Sequence, residues 1–204
     1  MERYSQACDN ASQPDVIYDE GSWLDRPPTP DQQRIEAVLD RMDLHGKSLL
    51  HVGIGSSDIA TRFGDRLAGI VGITVLQDEI DHARSLAIRN YSTSLMNKYS
   101  SDVATLPGPF NVIVDNNPSS FACCRHHTLA LFEQYVDLLG ADGVIVTDQQ
   151  GLAYRRLPSS FGMSYDDLVE LQRVLPVRVF KYDDDVYGMR RKRSRRWPRA
   201  LGAG

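Results

Sequence analysis

The stretch that decides the fold is Ser48-Leu49-Leu50-His51-Val52-Gly53-Ile54-Gly55-Ser56-Ser57, a short apolar run followed by small residues. The apolar run predicts a buried strand, and the apolar spacing through Ile59 predicts a helix directly after the small residues. Glycine lets the backbone turn tightly and approach a ligand, whose carboxylate can meet the N–H groups that open the helix. A two-glycine loop is also compatible with a plain strand-to-helix turn. The stretch therefore predicts a strand, a turn and a helix, with a candidate ligand site at Gly53 and Gly55.

Short apolar runs and helical patterns alternate along the rest of the chain. Strands are predicted at 48–52, 70–76, 91–96, 110–114 and 144–147, and helices at about 31–42, 59–63, 79–89, 128–139 and 164–174. Because helices separate successive strands, the strands are expected to pair in parallel. The run Gly140-Ala141-Asp142-Gly143 predicts a turn before the fifth strand. Two further runs, 177–182 and 186–191, predict an antiparallel hairpin that closes the sheet.

Composition places the chain among ordinary globular domains. It has 204 residues, of which 42% are hydrophobic and 25% charged, and its net charge of -4 gives no overall field for nucleic acid. Three cysteines, Cys8, Cys123 and Cys124, do not make a disulfide framework, and their spacing does not match a metal site. No apolar run approaches the ~20 residues that span a bilayer, and the first residues are polar. We therefore expect a cytoplasmic protein with no membrane contact and no metal.

The glycine loop, the strand order, Leu106-Pro107 before the fourth strand, the Gly-Ala-Asp-Gly run and the final hairpin together resemble class I S-adenosylmethionine-dependent methyltransferases. The resemblance covers about residues 31–191. It implies a Rossmann-like α/β fold with a mostly parallel seven-stranded sheet and a C-terminal antiparallel hairpin. NAD-binding Rossmann enzymes are the alternative, but Ser57 stands where their third glycine would be.

The resemblance also implies a cofactor, S-adenosylmethionine, and the residues that hold it. Its methionine part would lie against Gly53, Gly55, Ser56 and Ser57. An acidic residue that ends the second strand binds the ribose in this family; here Thr74 stands at that place, unless Gln77, Asp78 or Glu79 serves instead. The family's acid two residues before the first glycine is replaced by His51. A polar residue after the third strand, Asn97 or Asp102, would meet the adenine.

Three consecutive polar side chains, Asp115, Asn116 and Asn117, end the fourth strand beside the expected sulfonium. Asn117-Pro118 followed by Phe121 is similar to the Asn-Pro-Pro-aromatic motif of amino-group methyltransferases. The two asparagines are therefore predicted to orient an attacking amine, with Tyr99 as a further catalytic candidate. Phe121 is predicted to hold the sulfonium by cation–π attraction, and Asp115 to contact the cofactor. The alternative is a polar turn in which asparagine caps the next helix.

The ends of the chain carry further candidates. We divide the chain into a segment at 1–30, a catalytic domain at 31–192 and a basic tail at 193–204. Tyr18 and Trp23 are predicted either to cover the cofactor as part of a lid or to attach the first segment to the core. The arginines from Arg190 to Arg199 favour a solvated tail over a nucleic-acid patch. Cys123 and Cys124 are predicted to be packed small residues, and His126 and His127 to lie on a helix surface.

The leading interpretation is an S-adenosylmethionine-dependent methyltransferase that acts on a small molecule, with an amine as the favoured acceptor. A second interpretation takes the cofactor as its own substrate, as in azetidine-2-carboxylate synthases with a methyltransferase-like fold. There the α-amine attacks the γ-carbon and methylthioadenosine leaves. The third and lowest is a non-catalytic RNA-binding protein, so nucleic acid is not an expected partner.

Overall fold

The computed structural model describes residues 24, 26–120, 122, 124–154 and 162–192. The helices are α1 (Pro30–Asp40), α2 (Asp58–Phe63), α3 (Gln77–Ser85), α4 (Arg125–Leu138), α5 (Gln149–Ala153) and α6 (Tyr165–Val174), with 3₁₀ turns at Gly64–Arg66 and Ser101–Thr105. The strands are β1 (Lys47–Val52), β2 (Leu67–Thr74), β3 (Tyr91–Leu95), β4 (Phe110–Asp115), β5 (Leu139–Asp148), β6 (Val177–Lys181) and β7 (Val186–Arg191). The predicted segment at 1–30 is described only in part, and the tail at 193–204 lies outside the described residues.

One seven-stranded sheet organises the chain in the order β3-β2-β1-β4-β5-β7-β6. Strands β1 to β5 pair in parallel, whereas β7 runs antiparallel to both β5 and β6. The predicted mostly parallel sheet with a C-terminal antiparallel hairpin is confirmed. Because β1 and β4 are central neighbours, the loops after them meet at one edge of the sheet, where open α/β folds bind ligands.

Helices cover both faces of the sheet, which explains why the central strands read as continuous apolar runs. Leu49 packs with residues of α1 and α2, such as Val38 and Phe63, on one face. Its neighbour Leu50 packs with Phe132 of α4 and other residues on the opposite face. Successive side chains of a strand point to opposite faces, so these two leucines anchor two separate cores. None of the described helices is long and apolar enough to cross a bilayer.

The predicted turn at Gly140–Gly143 is wrong, because these residues lie inside β5. Helix α4 ends at Leu138 and β5 begins at the next residue. A Cβ at Gly143 would lie 2.8 Å from the carbonyl oxygen of Phe110, and one at Gly140 would lie 3.2 Å from it. The glycines therefore permit close approach of β5 to β4 at the point where their register shifts. Element boundaries also differ from the prediction: β2 runs from Leu67 to Thr74, and α3 runs from Gln77 to Ser85.

Candidate functional site

A cavity of ≈ 290 Å³ lies at the edge of the sheet where β1, β2 and β4 end. Its lining includes nine of the predicted site residues: His51, Gly53, Gly55, Ser56, Thr74, Asn97, Asp115, Asn116 and Asn117. Ser57 and Tyr99 are not in its lining. Tyr18, Trp23 and Phe121 lie outside the described residues. Asp31, Glu79 and Lys98, to which the sequence analysis gave no firm role, also line the cavity.

The glycine loop has the backbone conformation that its composition predicts. Gly53 has φ +74° and Gly55 has φ +48°, and residues that carry a Cβ rarely adopt such values. The N–H of Gly53 donates to the carbonyl of Ile73 at 2.8 Å, which ties the loop to β2. Ser57 precedes α2 in a left-handed conformation, and its buried hydroxyl lies 3.1 Å from the Tyr91 hydroxyl. The loop therefore presents Gly53, Gly55 and Ser56 to the cavity, while Ser57 packs behind it.

Glu79 supplies an acidic group beside the end of β2. Its carboxylate accepts a hydrogen bond from the Thr74 hydroxyl at 2.5 Å and from the N–H of Gly55 at 3.2 Å. Glu79 is buried, whereas Gln77 and Asp78 are exposed. Among the four residues considered for ribose binding, Thr74 and Glu79 are the two at the cavity. Asn97, not Asp102, reaches the cavity after β3.

His51 lies near the end of β1, between β2 and β4, and is buried. Burial lowers the pKa of its imidazole from 6.5 to about 4, and the charge of Asp58 opposes this shift only in part. The ring is therefore neutral near neutral pH. Its Nδ1 has no hydrogen-bond partner among the described residues. A neutral imidazole adds no positive charge to the cavity wall.

Asp115 and Lys98 form a buried ion pair in the wall of the cavity. Lys98 Nζ lies 3.2 Å from each carboxylate oxygen of Asp115 and also donates to the carbonyl of Asn117. The Tyr135 hydroxyl donates to Asp115 at 2.7 Å, and the N–H of Asn117 does so at 3.0 Å. Burial lowers the pKa of Lys98, and the charge of Asp115 opposes that effect. The pair fixes the loop after β4.

Two backbone carbonyls of this loop accept hydrogen bonds from buried side chains. Asn117 accepts from Lys98, and Pro118 accepts from the hydroxyl of Tyr99. Both side chains therefore hold the backbone of this loop in place. Tyr99 contacts the loop from behind and is a positioning group in this geometry, whereas its catalytic role stays a prediction.

Asn116 is joined to Asp31, the second residue of α1. Asn116 Nδ2 donates to Asp31 Oδ2 at 2.6 Å, although 85 positions separate the two residues in the chain. The backbone of Asn116 packs on α5, where a Cβ at Gly151 would lie 1.6 Å from its carbonyl oxygen. Sequence reasoning missed Asp31 because an acid in the first turn of a helix is usual and exposed.

His127 corrects a second prediction, because it is buried rather than on the surface of α4. Its ring meets that of Tyr99 edge-on with centroids 6.1 Å apart, and its Nδ1 lies 3.5 Å from Cys124 Sγ. The neighbouring His126 is exposed, as predicted. Cys124 is half-buried, and Cys123 lies outside the described residues. His127 packs against the ring of the tyrosine that holds the loop after β4.

Comparison by sequence finds no matching family model and no matching curated protein. By structure, the chain is similar to magnesium protoporphyrin IX methyltransferase (ChlM) from Synechocystis PCC 6803 with bound S-adenosylmethionine, at TM-score 0.57 and 14% identity over 78% of each chain. It is similar to the CcbJ methyltransferase from Streptomyces caelestis at TM-score 0.65 and 14% identity, over 85% of this chain and 99% of that one. A third neighbour is N-methyltransferase NodS from Bradyrhizobium japonicum WM9, at TM-score 0.57 and 14% identity over 77% and 92%. The predicted Rossmann-like class I methyltransferase fold is confirmed.

Proposed function

We propose that the protein is an S-adenosylmethionine-dependent transferase whose cofactor occupies the cavity at the glycine loop. The observation that carries the proposal is the convergence of that loop with polar groups from three strand ends. Gly53 and Gly55 follow β1, Glu79 stands beside the end of β2, and Asn97 and Asn116 follow β3 and β4. This arrangement gives the cofactor a backbone wall, an acid for its ribose and polar groups for its two ends.

The charges around the cavity suit a cationic ligand. Its lining carries three acids, Asp31, Glu79 and Asp115, and two basic residues, Arg26 and Lys98. Lys98 is neutralised by Asp115, and Arg26 is exposed. His51 adds no positive charge because burial holds its pKa at about 4. Asp31 and Glu79 place negative charge at the cavity, which suits the sulfonium and ammonium groups of S-adenosylmethionine.

The favoured reaction is methyl transfer to a small molecule, with an amine as the acceptor. Asn116 and Asn117 both line the cavity after β4. A neutral amide oxygen can orient an amine without stabilising its unreactive protonated form as strongly as a carboxylate does. The N-methyltransferase among the structural neighbours supports the same choice.

The second candidate reaction is cyclisation of the cofactor. The hydrogen bond between Asp31 and Asn116 is the observation that supports it. These groups could hold the α-amine of the cofactor at the cavity wall. In that reaction the α-nitrogen, after losing a proton, forms a bond to the γ-carbon while the bond from that carbon to sulfur breaks. The products are azetidine-2-carboxylate and neutral methylthioadenosine.

Incubation of the purified protein with S-adenosylmethionine, followed by mass spectrometry, tests both reactions. Methyl transfer predicts S-adenosylhomocysteine that accumulates only when a panel of small amines is added. Cyclisation predicts azetidine-2-carboxylate without any acceptor; this amino acid is the diagnostic product because the cofactor also releases methylthioadenosine spontaneously. A heat-denatured sample is the control. Absence of both products and of cofactor binding would refute the proposed function.

A further inference from the structure

Arg178 and Arg190 lie opposite each other on the two strands of the C-terminal hairpin. They are register partners in the antiparallel pair of β6 and β7, so their side chains lie on the same face of the sheet. Both arginines are exposed, and neither forms an ion pair with another described residue. Because like charges directly opposite each other destabilise a sheet, the fold alone gives no reason for this pair.

Protection of the sheet edge explains only one of the two arginines. Charged side chains on an edge strand hinder its pairing with another chain, and β6, which carries Arg178, is an edge strand. Arg190 is on β7, which lies between β5 and β6 and has no free edge. The sequence-based preference for a solvated tail rests on the edge-strand argument, so it does not cover Arg190.

Aromatic rings lie beside these arginines. The guanidinium carbon of Arg190 is 5.1 Å from the ring centroid of Phe180, and the ring of Tyr182 meets that of Phe180 with centroids 5.1 Å apart. Phe180 packs over Gly188, where a Cβ would lie 2.4 Å from the ring, so only glycine leaves room for the ring at this place. Both aromatic residues are half-buried. The hairpin therefore places aromatic rings next to exposed cations, a combination that the linear sequence does not show.

We propose that the hairpin face, formed by Arg178, Phe180, Tyr182 and Arg190, binds a single-stranded nucleic acid. Guanidinium groups bind phosphates through paired hydrogen bonds, and arginine and aromatic planes stack on unpaired bases. The sequence supplies more charge of the same sign, because seven of the ten residues at 190–199 are Lys or Arg. A bilayer fits this face less well, since none of the exposed large apolar side chains among the described residues lies on it; they are Leu95, Tyr154 and Val174.

The hairpin face lies away from the cavity. Arg190 pairs with Val144 near the start of β5, whereas the cavity lies beyond the other end of that strand, at Gln150. The three consecutive acids at 183–185 lie in the turn between β6 and β7, at the other end of the hairpin from the two arginines. The inference therefore concerns a second binding site and does not depend on the proposed function.

Fluorescence anisotropy with a labelled oligouridylate of about 16 nucleotides, titrated at a series of salt concentrations, tests the proposal. The wild-type protein is expected to bind with an affinity that falls as salt rises. The double variant Arg178→Gln/Arg190→Gln is expected to bind about tenfold or more weakly at low salt. Its slope of log affinity against log salt is expected to be smaller by about 1.4, because each phosphate contact to a single strand contributes about 0.7. The matched control is Arg84→Gln/Arg89→Gln, which removes the same charge from exposed positions near β3, at the opposite edge of the sheet, and is expected to keep wild-type affinity and slope.

Three results would overturn the nucleic-acid site. The first is no binding of the oligouridylate by the wild-type protein, and the second is equal affinity and slope in the wild type and the double variant. The third is equally tight, equally arginine-dependent binding of polyglutamate or of phosphatidylserine vesicles, which would make the face a general anion or membrane surface. Denaturant unfolding checks the fold of the double variant, and Arg178→Gln alone, with an expected decrease in slope of about 0.7, decides the matter if that variant does not fold. None of these results bears on cofactor binding, so the proposed function is tested separately.

Discussion

His51 links the stability of the protein to pH because its imidazole is buried without a charge partner that compensates for burial. Its pKa is lowered from 6.5 to about 4 in the folded protein. Above pH 6.5 the ring is neutral in both states, so it contributes no pH dependence. Between 6.5 and about 4 the unfolded chain binds a proton that the folded protein does not, so stability falls as the pH falls. Below about 4 both states are protonated and the loss is complete.

The size of the effect follows from the same two values. Each tenfold change in proton affinity corresponds to about 1.4 kcal/mol, so a pKa lowered from 6.5 to about 4 removes roughly 3 kcal/mol of stability across that range. His51→Gln deletes the titrating group while keeping a polar side chain of similar length. The free energy of unfolding of this variant is expected to fall by roughly 3 kcal/mol less than that of the wild type between neutral pH and about pH 4.

Denaturant unfolding of both proteins at a series of pH values measures this difference and cancels the titration of all other groups. His45→Gln, at an exposed histidine, is the control for the substitution itself. A difference between wild type and His51→Gln that stays constant over the range would refute the assignment. So would a directly measured pKa of His51 by NMR near 6.5.

Three further predictions concern the loop after β4. Asn117→Ala is expected to lower turnover by ~30-fold to several hundredfold, measured by steady-state kinetics, with little change in cofactor affinity by calorimetry. Unchanged turnover would show that this side chain has no part in the mechanism. Gly151→Ala places a Cβ 1.6 Å from the carbonyl oxygen of Asn116, so it is expected to lower the free energy of unfolding by about 3 kcal/mol or more. Denaturant unfolding measures this loss, and an unchanged stability would contradict the packing of α5 against Asn116. Lys98→Met leaves the buried charge of Asp115 without its partner and is expected to cost about 3–5 kcal/mol, a loss that the double variant with Asp115→Asn should partly recover.

The glycine loop and the sheet could be predicted because local sequence determines them. Apolar runs of strand length alternate with helical patterns, and a loop that needs positive φ at Gly53 and Gly55 must carry glycine there. The failed turn at Gly140–Gly143 shows the limit of this reasoning. A glycine that permits a turn and one that permits close strand approach are the same residue in the sequence, and only the position of Phe110 distinguishes them.

The partners within the site could not be predicted, because they depend on contacts between distant parts of the chain. Asp31 forms a hydrogen bond with Asn116, which lies 85 positions away in the chain. Lys98 is buried only because its ammonium group bonds to Asp115 and to a backbone carbonyl. A lysine in a loop after a strand is ordinarily exposed, so its residue type gave no signal of burial. His127 is buried for a similar reason, since its neighbour Tyr99 arrives from another element.

The central claim is that the cofactor lies against the backbone of the glycine loop, and a pair of glycine variants tests it most directly. A Cβ at Gly53 (φ +74°) or at Gly46 (φ +68°) would meet no atom within 4 Å, so alanine at either position introduces similar backbone strain. Only Gly53 lines the cavity. Calorimetric titration with S-adenosylhomocysteine is expected to show wild-type affinity for Gly46→Ala and at least about a tenfold loss for Gly53→Ala, because the added methyl group occupies the space that the ligand needs. Equal affinity in two folded variants would contradict the placement of the cofactor at this loop.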